Sequence, residues 1–255
     1  MKIALILIIF LFFPAVCFSQ LPAISSKKYS WITPTAQSQA TLMSSIIFEG
    51  EAHDMEFLQM SANAFASKEN IAMQVPDNEE HLLLIKSGTI KIKIKDRTQS
   101  IGRGSIALLM PGENYEIQET DAGLGTFYLM KYRSKKPVNK TAATKEVSFV
   151  KDWNEIAFKP HDRGGIRNFF EKTTPMSKRF EMHVTTLKEG IKSHDPHTHR
   201  AEEIVLIIEN KTEMQIGDQF YKGDSGDIYY LGSNVPHAIQ NIGTGTCTYF
   251  AFQFE

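Results

Sequence analysis

The sequence GIKSHDPHTHRAEEIVLIIEN, residues 190–210, places two histidines and a glutamate directly before a run of apolar and β-branched residues. Side chains two residues apart in an extended chain share a face, so His197 and His199 point the same way, and Glu203 has the same parity on the following strand. Two imidazoles and a carboxylate on one wall can occupy adjacent corners of a metal coordination polyhedron. A further imidazole, His237, follows a Val-Pro turn. These residues predict a metal centre with one or two positions open to water or substrate.

The sequence repeats itself at an offset of 122 residues, the separation between positions 81 and 203. The segment Glu80–Ile85 resembles Glu202–Ile207, and Gly104-Ser-Ile resembles Gly226-Asp-Ile at the same separation. Carried outward without a gap, the offset pairs further identical residues: Trp31 with Trp153, Phe48 with Phe170, Glu49 with Glu171, Met60 with Met182 and Thr126 with Thr248. A gapless register over this length indicates a tandem duplication.

Each copy has the patterning of an all-β domain. Short apolar and β-branched runs are separated by Gly, Asn, Asp and Pro turns. In residues 89–95 isoleucine alternates with lysine, which is the period of a half-buried strand. The runs Leu82–Ile85 and Ile204–Ile208 are apolar at every position, so both faces of those strands should be covered. We expect the barrel interior on one face, and another barrel or another subunit on the other.

Two segments of the second copy resemble the motifs of the cupin superfamily. The pattern Gly190-x6-His197-x-His199-x3-Glu203-x6-Asn210 is similar to the first cupin motif, with asparagine in place of its usual final glycine. The pattern Gly226-x5-Gly232-x-Asn234-x2-His237-x3-Asn241 is similar to the second, with Gly232 in place of a proline and Asn234 in place of a glycine. Asparagine tolerates the left-handed conformation that a tight turn requires.

The resemblance implies an all-β fold of tandem duplicated cupin domains, each a jelly-roll β-barrel of the RmlC-like type. It also implies one divalent transition metal in the C-terminal barrel, held by His197, His199, Glu203 and His237. Three imidazoles and a carboxylate suit Mn, Fe, Ni or Zn, and the family likeness favours manganese or iron. The predicted divisions are a signal peptide at 1–19, an N-terminal degenerate barrel at 20–132, a linker at 133–151 and a C-terminal metal-binding barrel at 152–255.

The first copy lacks the ligand set. At the 122-residue offset, the four ligand positions of the second copy correspond to Val75, Asp77, His81 and Tyr115. Valine cannot bind a metal, and tyrosine binds one as the phenolate, whose formation is unfavourable near neutral pH. A weak chelate of Asp77 and His81 is the alternative. We expect this barrel to serve as a packing partner for the second.

The N-terminus has the features of a secretory signal peptide. Lys2 precedes the apolar run Ile3–Val16, and small residues stand at the positions that a signal peptidase reads, which predicts cleavage after Ser19. The alternatives are a retained anchor, for which the run is short, and a lipid on Cys17. We expect a secreted or periplasmic protein. Cleavage leaves Cys247 as the single cysteine, which excludes an intrachain disulfide.

The overall charge excludes broad classes of partner. A formal net charge of -1 gives no general attraction to nucleic acid or to an anionic membrane. The expected partners are a small-molecule substrate or ligand and, from the doubly apolar strands, a second copy in a homodimer.

The segment Phe180–Gly190, which leads into the first motif, resembles the corresponding strand of the (S)-ureidoglycine aminohydrolase-like cupins. Those cupins carry a Glu-x-His-x3-His pattern with a later glutamine, so the resemblance implies their layout and leaves the substrate open. Two functions stay open: a metal-dependent enzyme acting on a small carboxylate- or carbonyl-bearing molecule, and a non-catalytic metal-dependent binding or sensing protein.

The sequence leaves the catalytic residues unknown. His183 is a candidate acid or base, but it alternates with apolar neighbours, so we expect it on the surface or at an interface. Arg167 and Arg179 are expected in ion pairs, while His161 and His194 are expected in loops.

Overall fold

The computed structural model describes residues 21–35, 40–120 and 125–255, so the predicted signal peptide lies outside the described residues. No helix within the described ranges is long and apolar enough to cross a membrane. The strands of the first copy are β1 Lys27–Tyr29, β2 Leu42–Gly50, β3 Met55–Phe65, β4 Ile71–Gln74, β5 Glu80–Ser87, β6 Ile90–Ile94, β7 Arg97–Ile101, β8 Ile106–Leu109, β9 Asn114–Glu119 and β10 Thr126–Ser134.

A short helix, α1 Lys140–Lys145, precedes the second copy. A 3-10 turn at Trp153–Glu155 follows the first strand of the second copy. Asn139 caps α1, because its side-chain oxygen accepts a hydrogen bond from the Ala142 amide. The strands of the second copy are β11 Phe149–Lys151, β12 Lys159–His161, β13 Gly164–Lys172, β14 Phe180–Leu187, β15 Glu202–Glu209, β16 Thr212–Ile216, β17 Gln219–Gly223, β18 Ile228–Leu231, β19 His237–Asn241 and β20 Cys247–Phe254.

Four antiparallel sheets build two jelly-roll barrels. The first barrel pairs the sheet β11-β8-β5-β10-β3-β2 with the sheet β4-β9-β6-β7. The second pairs the sheet β1-β18-β15-β20-β14-β13-β12 with the sheet β17-β16-β19. Strands β5 to β8 coincide with β15 to β18 at the 122-residue offset, so the duplication read in the sequence is also structural. The prediction of an all-β fold of tandem duplicated jelly-roll β-barrels is confirmed.

The two barrels exchange their first strands. β1, which begins the first copy, pairs with β18 of the second barrel, and β11, which begins the second copy, pairs with β8 of the first. The registers correspond, since Tyr29 lies opposite Ile228 and Lys151 lies opposite Ile106. The segment interpreted as a linker, 133–151, thus contains α1 and a strand of the first barrel. Each copy completes a sheet in the other, which ties the barrels together.

The strands that are apolar on both faces lie between the barrels. Leu84 of β5 and Leu206 of β15 belong to one buried cluster with Phe180 and Phe250, drawn from both copies. The alternate residue Val205 instead belongs to the core inside the second barrel. The expected cover on the outer face is therefore the other barrel of the same chain.

Two buried glutamates occupy equivalent positions beside this apolar interface. Glu80, at the start of β5, accepts a hydrogen bond from the backbone amide of Met176, 2.9 Å away in the second copy. Glu202, at the start of β15, accepts one from the amide of His53, 2.8 Å away in the first copy. Each of these carboxyl groups therefore holds a loop of the opposite barrel.

Candidate metal centre

Three imidazoles converge at the mouth of the second barrel. The candidate ligand nitrogens of His197, His199 and His237 lie within 4.8 Å of one another. His197 and His237 are joined by reciprocal backbone hydrogen bonds of 3.2 and 3.1 Å, which form an isolated bridge. His199 lies in the turn before β15, and its carbonyl accepts a hydrogen bond from Asn234 at 2.8 Å. The backbone therefore connects the two sequence motifs that carry the histidines.

The tight turns adopt the conformations that the motif substitutions require. Asn210 and Asn234, which replace glycines of the cupin motifs, have φ angles of 68° and 60°. Asparagine is one of the few residues that accept this left-handed region. The departures from the motifs thus preserve the backbone geometry.

Glu203 faces the same point from β15. Its Oε2 atom lies 3.1 Å from Nε2 of His199 and 3.5 Å from Nε2 of His237. Burial alone would raise the pKa of this carboxyl, but hydrogen bonds and Coulombic attraction from His199 and His237, when their rings are protonated, outweigh that effect and hold the pKa far below its usual value. The carboxylate is therefore ionised.

Hydrogen bonds at Nδ1, the ring nitrogen on the side away from the cluster, fix the tautomers of His199 and His237. Nδ1 of His199 lies 2.7 Å from the Ala201 carbonyl oxygen, and Nδ1 of His237 lies 2.8 Å from that of Val235. A carbonyl only accepts, so Nδ1 carries the proton and the lone pair of Nε2 faces the cluster in the neutral ring. Nε2 of His237 is buried and has no hydrogen-bond partner closer than its 3.5 Å contact with Oε2 of Glu203. Two imidazole lone pairs and a carboxylate thus face one point, an arrangement that fits a divalent cation.

A cavity of about 290 Å³ opens beside these residues inside the barrel. Its polar wall includes Arg163, His183 and His194, and its apolar wall includes Leu187 and Val205. Several of the lining side chains are smaller than their counterparts in the first copy, which leaves space inside the barrel. At the 122-residue offset, the second copy has Leu187 for Phe65, Val205 for Leu83, His237 for Tyr115 and Ala251 for Leu129.

The first barrel is filled where the second is open. Val75 and Tyr115, which occupy two of the ligand positions, are fully buried in its apolar core. The ring of His81 lies 3.3 Å from the Tyr115 hydroxyl and 3.6 Å from a Glu79 oxygen, while Asp77 is exposed. The neighbours of the His81 ring are therefore Tyr115 and Glu79. Burial lowers the pKa of His81, which favours the neutral ring.

His183 lies in the cavity wall, so the expectation of a surface or interface position was wrong. Its apolar neighbours Phe180, Met182 and Val184 pack into the cluster between the barrels rather than into the barrel interior. Because strand side chains alternate, His183 faces the cavity. Its Nδ1 atom lies 3.1 Å from Oε1 of Glu181.

The other candidates take distinct positions. Arg179 forms ion pairs with Glu171 and Glu181, as expected. Arg167 instead stacks its guanidinium over the rings of Trp153 and Phe158, at 4.7 and 4.8 Å from their centroids.

The two histidines expected in loops both line the cavity wall. His194 lies in a loop, but His161 is the last residue of β12, so the loop expectation for His161 was wrong. The ring centroids of His194 and His197 are 4.1 Å apart.

Sequence reasoning missed Gln253, which contacts two of the four predicted ligands. Its Nε2 atom donates to Oε2 of Glu203 at 3.1 Å and lies 3.4 Å from Nε2 of His199. The available signal was its position: Gln253 alternates with Phe252 and Phe254 in the last strand, so it faces away from the apolar interface.

Comparisons with known proteins agree with this fold. The cupin domain family matches residues 183–252, which include all four predicted ligands. No curated protein matches the chain in sequence. Protein Ylba from E. coli shares 15% identity over 93% of this chain and 95% of its own, with a TM-score of 0.69. Oxalate decarboxylase from Lactobacillus farciminis, a formate complex, shares 12% identity over 90% and 86%, with a TM-score of 0.65. AerE from Microcystis aeruginosa shares 14% identity over 89% and 98%, with a TM-score of 0.64.

Proposed function

We propose that the chain is a metal-dependent bicupin enzyme that acts on a small molecule bearing a carboxylate or carbonyl group. The observation that carries this proposal is the convergence of two oriented imidazole lone pairs and the buried carboxylate of Glu203 on one wall of a cavity. His197 adds a third imidazole at the same point. The donor set is the one that a divalent transition metal accepts, with manganese or iron favoured.

The chain's own residues supply the remaining chemistry. When bound, the metal polarises a carbonyl or carboxylate, or activates water. Arg163 at the cavity wall offers a positive charge for a substrate carboxylate. His183 faces the same cavity and holds its Nδ1 against Glu181, which leaves Nε2 to exchange a proton with a ligand. An oriented histidine of this kind favours catalysis over passive binding.

The reaction class that we propose to test first is hydrolysis or decarboxylation of a small carboxylic acid. Hydrolysis follows from the likeness to ureidoglycine aminohydrolases, and oxalate is a natural probe because oxalate decarboxylases share the fold. A cavity of about 290 Å³ accommodates molecules of this size. Saturable binding of such an acid without product would instead indicate a metal-dependent binding protein.

Metal content by plasma mass spectrometry tests the proposal. We expect one equivalent per chain in the wild type and in Tyr115→Phe, and almost none in the double variant His199→Ala/Glu203→Ala. Two equivalents per chain, or full occupancy in the double variant, would overturn the assignment to the second barrel. Incubation of the Mn(II)-loaded protein with oxalate and with ureido acids, followed by NMR, then separates an enzyme from a binding protein.

We also propose that the chain works outside the cytoplasm after cleavage behind Ser19. The basis is the sequence alone, with Lys2 before the apolar run Ile3–Val16. Intact mass of protein from the native host should correspond to a chain beginning at Gln20. A cytosolic protein that retains Met1 would contradict this.

A further inference from the structure

We propose that Gln253, held by Arg179, is a positioning residue that orients Glu203 toward the metal. This inference rests on the proposed function, because it presumes that Glu203 is a metal ligand. The predicted ligands would contact the metal directly, whereas Gln253 and Arg179 would determine how the carboxylate of Glu203 is oriented toward it.

Strand register places the residues in a single row across four neighbouring strands. Glu171 of β13 lies opposite Glu181 of β14, which lies opposite Gln253 of β20, which lies opposite Glu203 of β15. Residues directly opposite in antiparallel strands have their side chains on the same face at close range. The row therefore places three carboxylates and one neutral amide on one face of the sheet, with Glu203 at the end that reaches the histidines.

The guanidinium of Arg179 spans this row. Its Nε atom donates to Glu171 at 2.8 Å, one Nη atom donates to Glu181, and the other donates to Oε1 of Gln253 at 3.3 Å. Arginine has no acceptor, so the amide oxygen of Gln253 must face Arg179 and the amide nitrogen must face the opposite side. Arg179 thereby fixes which end of the amide points toward Glu203.

The amide nitrogen then donates to the carboxylate oxygen that faces the histidines. Oε2 of Glu203 is 3.1 Å from Nε2 of Gln253, and the same oxygen lies near the ring nitrogens of His199 and His237. A neutral donor holds the carboxylate in one rotamer without competing for it as a cation does. Because its oxygen is turned away, Gln253 is a positioning residue and not a ligand.

The corresponding row of the first barrel carries different residues, and the difference supports a positioning role for Gln253. The equivalent row there is Glu49, Gln59, Lys131 and His81, so a lysine stands where the metal barrel has Gln253, and a histidine stands where it has Glu203. The charge of Lys131 is one of the influences that lower the pKa of His81, after burial. A cation at this place in the row is unfavourable for a metal ion beside it.

Arg179 also acts on a second residue of the cavity wall. The carboxylate of Glu181 that it binds is the one that holds Nδ1 of His183 at 3.1 Å. One guanidinium therefore fixes both a proposed metal ligand, through Gln253, and the candidate proton-transfer histidine, through Glu181.

Metal affinity in Gln253→Met tests the proposal, because methionine has a similar length and no donor. In a chelator competition with Mn(II), we expect affinity about 10- to 100-fold weaker than the wild type, the range typical of lost outer hydrogen bonds to ligands. The matched control is Gln215→Met, since Gln215 donates to a backbone carbonyl in the same barrel and does not line the cavity. That control should bind as the wild type does.

A spectroscopic measurement separates positioning from general destabilisation. The visible spectrum of the Co(II)-loaded protein reports ligand geometry, so Gln253→Met should shift it while Gln215→Met leaves it unchanged. Gln253→Asn, which shortens the side chain by one methylene, should show the same loss if the methionine variant fails to fold. Arg179→Met should also weaken Mn(II) binding, and Arg179→Lys should recover part of it.

The outcomes distinguish this inference from the proposed function. A wild type that binds no metal would refute the proposed function itself. The positioning role alone would be overturned by a different result. In that result the wild type binds Mn(II), and Gln253→Met and Gln253→Asn both bind it as tightly as the wild type and give the same Co(II) spectrum.

Discussion

The ring of Trp153 lies directly against the backbone of Gly104, so closely that a Cβ atom at Gly104 would be 2.5 Å from the ring. Trp153 follows β11, the strand that the second copy contributes to the first barrel, and its amide donates to Ser105 at 3.0 Å. At the 122-residue offset the same pair is Trp31 and Gly226. The exchanged segment of each copy therefore ends with a tryptophan beside a glycine of the other barrel.

Gly104→Ala should destabilise the protein by disturbing this contact. Gly104 has a φ of +81°, so alanine incurs the left-handed penalty of about 1–2 kcal/mol and also collides with Trp153. The control is Gly217→Ala, where φ is +57° and the added methyl meets no atom within 4 Å. Urea unfolding should show a clearly larger loss for Gly104→Ala. Equal losses would mean that the tryptophan moves without cost.

Leu206→Asp should weaken the contact between the barrels. Leu206 is 2% exposed and lies in the apolar cluster formed by both copies, so an unpaired carboxylate there costs about 3 kcal/mol or more. Phe220→Asp is the control, because Phe220 is 62% exposed. Thermal unfolding should separate the two variants. An unchanged melting temperature for Leu206→Asp would indicate that the interface opens in solution.

The fold was predictable because its determinants are local and repeated. Alternating Ile and Lys in residues 89–95 forecast a strand with one buried face, and β6 has that pattern of burial. The doubly apolar runs forecast strands covered on both sides, which β5 and β15 are. The strand exchange was not predictable in this way, because residues 27–29 and 149–151 carry no local signal for the barrel they join.

The candidate site was predictable where it depends on spacing and unpredictable where it depends on register between distant strands. His197, His199 and Glu203 are close in sequence, and the structure brings them together with His237. Gln253 reaches Glu203 across two strands that are 50 residues apart in the chain. His183 was misplaced because its apolar neighbours face another barrel, a circumstance that alternation within one strand does not reveal.

His183→Gln should abolish proton transfer while leaving the metal in place. His183 is not among the predicted ligands, and its ring is held by Glu181 in the cavity wall. On a substrate identified with the Mn(II)-loaded protein, we expect turnover to fall about 100-fold or more, which is the usual contribution of a general acid or base. His161→Gln is the control at the cavity mouth. Metal content equal to that of the wild type, with undiminished turnover, would exclude an acid–base role.

Stability should depend on pH through Glu80, whose side chain is fully buried beside the interface between the barrels. Burial raises the pKa of Glu80 from 4.5 to about 7, and hydrogen bonds from Tyr132 and Met176 oppose this in part. Between these two values the folded protein retains a proton that the unfolded chain has lost. The free energy of unfolding that depends on Glu80 therefore decreases as the pH rises through this window, and the loss is complete above about pH 7.

Glu80→Gln removes this titration and keeps a neutral group of the same shape. The free energy of unfolding of the variant, minus that of the wild type, should increase by about 3 kcal/mol when the pH is raised from 4.5 to 8. The expected size is roughly 1.4 kcal/mol for each unit by which the pKa of Glu80 is raised. Urea unfolding at both pH values measures this difference, and Glu116→Gln, which replaces a surface carboxylate paired with Lys93, controls for net charge. A difference between wild type and Glu80→Gln that stays constant with pH would show that Glu80 is ionised in the folded protein. In that case its hydrogen bonds to Tyr132 and Met176 would compensate fully for burial, and the carboxylate would stabilise the contact between the barrels at neutral pH.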